Sequence, residues 1–592
     1  MIGRNFYFMH RHFYILILFV FAAAASTALG QDTTPTPTPT PSPIPVVTDK
    51  QDVAPENLKG VPAIATDYQS LDRSLPDLGR VGVDMLQPRS LTLRDAIELA
   101  LVNNRDIEVS RKTETMAEYD LQSARGVYQP RLSGQVYYDR STVPNVSIFS
   151  NNQKTTQGTI LGNASLQAYV PNYGTIFTGS FNNQRVTTDN PISILSPQYN
   201  TNLGFSVTQP LLRGRTFDQN RRTIEIAKRN ISLTDTQFRQ RSIETVASVQ
   251  KAYWDLAYAL RNLQVQQDSV RDAKSQLEHN RRLVDEGQLA PIDIVAAETQ
   301  VVNFEQAVYD ALNGVNQSEN VLKNLISPLR TDAIWTQALT PVESVELAVP
   351  NSTYSEALAT ALDNRPELEV NKAQKDINAI DQRFFEVQKK PQIDLVASYS
   401  TTGIGGSQNP NFSPSFPTPC NTNPTSPACA QQQTNLALLT GNPLSGLLLN
   451  RYPTLRVGVN FNLPLFGDKT AAAQLGRSKV EGERIDTQRE QIEQGIQVDV
   501  RNALQAIRTG EARLRAAALA RENTAKQYES EQRKLDAGQS DVYKVLERQT
   551  ALTVAKSNEL RARTDLNKSI AELQRATGNS LKENNIVPKL KK

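Results

Sequence analysis

Apolar positions along the chain recur at helical spacing, switch to alternation, and return to helical spacing, and this cycle occurs twice. The first helical stretches cover roughly 92–129 and 353–390. Alternation follows in "RLSGQVYYDRS", "NTNLGFSVTQ", "QIDLVASYS" and "TLRVGVNFNLPL". In the last of these Leu455, Val457, Val459, Phe461 and Leu463 share one face, and Arg456, Gly458, Asn460 and Asn462 share the other. From Phe217 to Glu286 the chain then runs without Pro or Gly, and a second long helical pattern, also free of Pro, runs from Lys469 to Ala537. Val500, Leu504, Ile507, Leu514 and Ala518 mark a coiled-coil seam there. A helix of ~70 residues would be ~100 Å long.

Each long helix stops at a glycine, in "GQLAPIDI" from Gly287 and "GQSDVYKV" from Gly538, and a helix of about half its length follows. The glycines predict hairpin tips, where open backbone geometry lets the chain reverse. Two half-length helices end to end would flank each long one. Ungapped alignment of "LRDAIELALVNNRDIEV" (93–109) on "YSEALATALDNRPELEV" (354–370) brings Pro130 onto Pro391 and Tyr138 onto Tyr399. "QPLLRG" (209–214) answers "LPLFG" (463–467). The chain is a tandem duplication, with repeats at 90–330 and 351–580 joined by a linker over 331–350.

Pro130, Pro210, Pro391 and Pro464 stand at the four helix–strand junctions, where neither a helix interior nor a central ladder has to accommodate them. Four junctions predict four strands of 9–12 residues, long enough to cross an outer membrane when tilted. A soluble sandwich also alternates; strands set between such long helices favour the barrel. Four strands cannot enclose an aqueous pore, so several chains must share one, and three would supply twelve. Tyr137, Tyr138, Tyr399, Phe205 and Phe461 are candidate interface aromatics. A further hairpin at 162–184, with its turn at Pro171–Gly174, has no counterpart in the second repeat; it either lengthens the external loops, the preferred reading, or adds two strands to the barrel. The fold class is therefore α+β, mainly α.

Composition narrows the function. "MIGRNFYFMHRHFYILILFVFAAAASTALGQ" has the basic start, short apolar core and small-residue exit of a signal peptide over 1–30. No later apolar run reaches ~18 residues, so a membrane would be entered only through β-structure. Residues 31–89 form a linker with a Pro/Thr tract that favours extended structure, and 581–592 form a basic tail. Cys420 and Cys429 are the only cysteines, and in an exported chain they suggest a loop-stapling disulfide. His279 is the only histidine beyond the signal, too few for a zinc site or His-based triad, so no metal and no cofactor are expected. With 64 basic and 61 acidic residues, a nucleic-acid partner is not expected either. Acidic residues scatter along helix faces with no paired carboxylates or phosphate loop, which argues against an enzyme.

In the "DAIELAL/EALATAL" helix starts, the "QPLLRG/LPLFG" strand exits and the two Gly tips, over about 92–578, the chain resembles the TolC-like outer-membrane efflux protein family. The resemblance implies a homotrimer, with a twelve-stranded barrel among outer-membrane lipid and a helical barrel in the periplasm. It also implies docking of a periplasmic adaptor (membrane fusion) protein at the tips, around Gly287, Gln288, Gly538 and Gln539, and an inner-membrane pump of the RND or ABC type. Acidic side chains near the tips line the closed aperture in that family. Asp293 falls on such a position; Lys544 departs from it, with Glu547 three residues on. Asp293–Lys544 ion pairs between helices would hold the aperture shut; solvated helix-end charges of little individual worth are the alternative. The implied function is a passive exit duct for small molecules, with type I protein secretion or a non-conducting periplasmic coiled coil as alternatives.

Overall fold

A computed structural model describes residues 79–144, 153–343, 348–413, 418–465, 467–584 and 586. The signal peptide, most of the first linker and residues 587–592 lie outside the described residues. The chain divides after Pro76, and everything below belongs to the second unit.

The first half of the chain contains β1 (Asp84–Leu91), α1 (Leu93–Asn103), α2 (Arg105–Arg125), β2 (Arg131–Pro144), β3 (Lys154–Tyr169), β4 (Ile176–Thr188), β5 (Leu195–Pro210), α3 (Gln219–Asp285) and α4 (Pro291–Ile326). The second contains β6 (Gln337–Pro341), α5 (Tyr354–Asn364), α6 (Pro366–Gln388), β7 (Gln392–Gln408), α7 (Pro419–Thr422), α8 (Pro427–Leu439), α9 (Pro443–Leu448), β8 (Tyr452–Asn462), α10 (Lys469–Asp536), α11 (Val542–Ala576) and α12 (Ser580–Glu583).

The long helices have 67 and 68 residues, their partners 36 and 35. The expected seam on α10 exists: Val500, Leu504 and Ile507 are buried against Leu566, Ile570 and Leu573 of α11. The initial helix of each repeat, expected to be continuous, is instead two helices. The breaks fall at Asn104 and Arg365, which are aligned positions of the duplication. Asn104 leaves the helical region and its side chain accepts the N–H groups of Asp106 and Ile107, starting a new helix. In the second repeat Pro366 at the first helical position does the same job through its fixed φ.

The breaks are where half-length helices meet end to end. Asn103 and Asn104 donate to the carbonyls of Ile326 and Leu325 at the end of α4, at 3.1 and 3.0 Å. Arg365 reaches the Ala576 carbonyl at the end of α11. Terminal carbonyls that a helix leaves unpaired are satisfied by the next helix in the stack.

Two segments that composition places in linkers are strands: β1 and β6 pair in parallel, Arg89 opposite Leu339. They close a core of Leu91, Ile97, Tyr253, Trp254, Leu322 and Leu339 around the middle of α3.

The second sheet corrects the strand count. Its order is β2-β3-β4-β5-β7-β8, antiparallel throughout, so six strands rather than four belong to it. The hairpin expected to extend the external loops is β3–β4, a full member. Its turn lies at the helical end: Gly174 has φ +67°, where a Cβ would press on the Gly214 carbonyl, and Arg221 of α3 donates to the Asn172 carbonyl at 3.3 Å. The segment opposite in the duplication, expected as an irregular loop, holds the short helices α7–α9, with Cys420 and Cys429 bonded to each other.

Candidate functional site: the paired helix tips and the two-faced sheet

The tips are two copies of one local device. At the first, the Gly287 N–H donates to Val284 at 2.9 Å and the Gln288 N–H to Leu283 at 2.8 Å. At the second, Gly538 donates to Leu535 at 2.9 Å and Gln539 to Lys534 at 2.8 Å. Both glycines have φ +71° and open space where a Cβ would stand. This pattern ends a helix by returning two orphan carbonyls to the turn, and only the left-handed residue is demanding. Gly538→Ala therefore meets no clash, but places a side chain in left-handed backbone at about 1–2 kcal/mol. Amides of 534–540 are expected to exchange roughly tenfold faster in the variant, measured by hydrogen exchange.

The tips lie side by side. Leu289, two residues past the first glycine, packs on Leu535, Val542, Val545 and Leu546 of the second. His279 of α3 meets Asp536 of α10 at 3.0 Å. Neither contact was expected from the sequence. An apolar Leu289 in an otherwise polar exposed turn was the available signal.

The candidate aperture charges are engaged within their own helices. The Asp293 carboxylate accepts the Ala290 N–H at 3.2 Å, closing the first turn of α4. Lys544 Nζ lies 3.0 Å from Asp541, which caps α11 by accepting the Lys544 N–H. Within one chain, then, Asp293 and Lys544 each engage the first turn of their own helix. Glu547 lies on the next turn of α11.

The Lys544 backbone N–H, then its ammonium, hold the Asp541 carboxyl below its ordinary value. Hydrogen bonds from Ser540 and Lys534 lower Glu531 beside it. Carboxyls shifted this way stabilise the folded tip fully above the ordinary carboxylate range, and the contribution disappears as pH falls through the lowered values. Residues 534–546 are expected to lose exchange protection below about pH 4, after correction for intrinsic exchange rates, and to keep it at pH 6.

The sheet divides its side chains cleanly. One row of neighbours across it reads Leu132, Leu166, Gly179, Phe205, Tyr399, Leu455; the row one residue along reads Ser133, Ser165, Ser180, Gly204, Ser400, Thr454. The apolar face continues through Phe177, Phe181, Val207 and Val457, and the polar face through Gln135, Asn163, Asn182 and Asn202. Of the interface aromatics, Tyr138, Phe205, Tyr399 and Phe461 lie on the apolar face; Tyr137, one residue out of phase, lies on the polar one. The junction prolines flank the strands as expected: Pro130 and Pro391 precede β2 and β7, Pro210 ends β5, and Pro464 follows β8. Both outer strands, β2 and β8, are exposed along their whole length.

A sheet that is apolar on one side, polar on the other and, among the described residues, unpaired at both edges, mounted on helices ~100 Å long, defines a class: outer-membrane ducts that pair a barrel with a helical tunnel. The sequence profile of outer membrane efflux proteins matches residues 176–327 and 357–579, and the chain belongs to that family. Solved structures share the fold at low identity. The outer-membrane channel OprN is 14% identical with a TM-score of 0.58, covering 87% of this chain and 99% of its own. The Campylobacter jejuni CmeC outer membrane channel is 14% identical with a TM-score of 0.57, covering 84% and 90%. The open-state Neisseria gonorrhoeae MtrE outer membrane channel is 17% identical with a TM-score of 0.54, covering 83% and 89%. No curated protein matches the chain in sequence. The protein is an outer-membrane efflux duct.

Proposed function

We propose that three copies of this chain form the passive exit duct of a tripartite export system, with its helical barrel in the periplasm, carrying small molecules delivered by an inner-membrane pump through an adaptor docked at the tips. The observation that carries this reading is the six-stranded two-faced sheet with both edges open. An unpaired edge in a membrane leaves backbone groups unsatisfied, so β8 of one copy must meet β2 of the next until the sheet closes. Three copies then close eighteen strands, where the family resemblance alone implies twelve, and barrels of 16–18 strands hold an aqueous channel. The serine and asparagine rows line that channel and the apolar rows face lipid.

Gly287, Gln288, Gly538 and Gln539 form the exposed end of the helical hairpins, where an adaptor can reach both repeats together. The reading needs no catalytic group: substrate moves down its gradient, and the pump supplies the energy. The test has two parts. Cysteines replacing Val136 on β2 and Val457 on β8 are expected to cross-link neighbouring chains into a trimer; a chain that stays monomeric defeats the shared barrel. Photocrosslinkers replacing Gln288 and Gln539 in cells are expected to capture a periplasmic adaptor. Capture of this chain alone defeats the tripartite assignment, and an ATP-driven pump co-purifying with a secreted protein substrate would replace small-molecule export by protein secretion.

A further inference from the structure

Between Asp394 and Arg451 the chain carries no Asp, Glu, Lys or Arg, although charged residues make up 21% of the whole. This span includes all but the last residue of the connection from β7 to β8, which at the outer end of a membrane barrel would ordinarily be a water-exposed loop. Loops in water have no reason to exclude charge. Segments against hydrocarbon do, because burying an unpaired charge costs far more than it returns.

The position of α9 supplies the second observation. It lies across β7 on the apolar face, the one carrying Leu395, Ala397 and Tyr399. On that face β7 continues with Gly403 and Gly405, and a Cβ on either would overlap the backbone of α9 or its approach, at the Pro443 and Gly441 carbonyls respectively. The alternating glycines clear a seat for a helix on the outside of the sheet. Leu447 is buried in that seat, and Thr201 and Thr401 are covered by it. The helix is fixed at both ends: Asn442 caps it by accepting the Leu444 N–H, and Asn450 leaves it at φ +50° with the Arg451 N–H returned to Gly446. The Cys420–Cys429 bond ties the preceding α7 to α8.

Having buried one leucine inward, the segment turns others outward. Leu444, Leu448 and Leu449 are 46%, 83% and 69% exposed, and Leu438 of α8 is 46% exposed. A short helix with leucines on both sides is unfavourable in water and stable only where the outer side also meets an apolar phase. Height along the barrel agrees. Gly403 lies eleven residues beyond Gln392 at the helical end, which is ~36 Å of strand and ~28 Å of height at a tilt of about 40°. The apolar band of such barrels is ~25 Å tall, so α9 sits at its outer margin, continuous with the lipid-facing rows below. Arg451, the first charge after Asp394, follows directly where the interface would be, its long stem able to reach the headgroups.

We infer that α8 and α9 form a stapled apolar collar on the outside of the barrel that inserts into the outer leaflet, its partner being lipid acyl chains near the headgroup boundary. The inference rests on the barrel reading of the sheet, and the test separates the two. Environment-sensitive fluorophores would be attached, without reductant, to Leu448→Cys and, in a second variant, to Val457→Cys on β8, in full-length protein reconstituted in vesicles. Quenching by lipid-borne nitroxides would be compared with quenching by aqueous iodide, and Gln288→Cys at the tip serves as the aqueous reference. The collar predicts that the label at 448 is quenched at least threefold more by a shallow nitroxide lipid than the reference and is protected from iodide. Quenching by iodide at 448 with lipid quenching at 457 overturns the collar and leaves the barrel standing. Protection from both quenchers at 448 means protein covers it and overturns the collar equally. Absence of lipid quenching at 457 removes the barrel reading and the collar with it. Gly403→Val, which fills the seat, is expected to move the 448 label from lipid-quenched to iodide-quenched; an unchanged profile would show that the seat does not hold the collar.

Discussion

Glu319→Ala is expected to be among the most damaging single substitutions outside the sheet, lowering the stability of the β1–β6 region by about 3–5 kcal/mol. Glu319 is almost wholly buried near the end of α4. Its carboxylate meets Arg80 at 3.2 Å and Lys323 at 3.6 Å, and accepts the Leu339 N–H of β6 at 2.7 Å. Lys323 is fully buried, and its remaining partner is the Trp335 carbonyl at 3.1 Å. Removing the carboxylate leaves a buried ammonium without a counter-ion, a guanidinium without its partner and a strand amide unpaired. Each of these is costlier than the net worth of the original network, because desolvation is no longer offset.

The measurement is amide exchange across 337–341 and the end of α4, where protection should collapse while the tips stay as they were. Glu319→Leu combined with Lys323→Met should be less damaging than Glu319→Ala, since it removes the buried cation together with its partner. Burial also depresses the Lys323 pKa against the pull of Glu319. Unfolding then takes up a proton, so stability rises with pH from the depressed value to the ordinary lysine range. The same window should widen in Glu319→Ala, where nothing supports the charged form. An Ala variant with native exchange in β6 would show that the network contributes nothing to holding β6 against α4.

Phe181→Arg and Asn182→Arg, neighbours in β4, are expected to have opposite outcomes. Phe181 lies on the apolar face opposite Ala164 and Leu203; Asn182 lies on the polar face opposite Asn163 and Asn202. Both are near the middle of the strand, where arginine on the lipid face costs about 2–4 kcal/mol. Phe181→Arg should reduce the assembled fraction by tenfold or more, read by heat-modifiable mobility or native mass spectrometry. Asn182→Arg should assemble normally and shift the ion selectivity of the open channel toward anions. If β3 and β4 were an external flap, neither arginine would matter, so equal tolerance of the two would defeat the eighteen-stranded barrel.

Much of this protein was legible in one dimension. Duplication, hairpin tips and the lengths of α3, α4, α10 and α11 follow from periodicity and from Gly287 and Gly538, because helical spacing and left-handed backbone are local properties. Two-faced strands are equally local, which is why β2, β5, β7 and β8 could be read directly. The helix breaks at Asn104 and Arg365 were less so: Asn104 is a cap only because the chain departs there, and what it caps against, the end of α4, lies more than two hundred residues away.

Strand number was decided elsewhere. "GNASLQAYVPNYGTIFTGSFNNQ" contains two alternating runs around a turn, but alternation alone does not say whether a hairpin joins a sheet or projects from it. The Gly174 turn packing on Gly214 and Arg221 settles that, placing the turn at the helical end. Asp293 and Lys544 each meet a partner three residues away, Ala290 and Asp541, at the start of their own helix. Sequence by itself determined the elements, their order and which face of each is apolar, since these depend on residues a few positions apart. Tertiary structure decided the six-strand count, the joining of the two tips through Leu289 and His279, and the seating of α9 on Gly403 and Gly405. Those depend on which distant segments share a surface, and local periodicity carries no record of that.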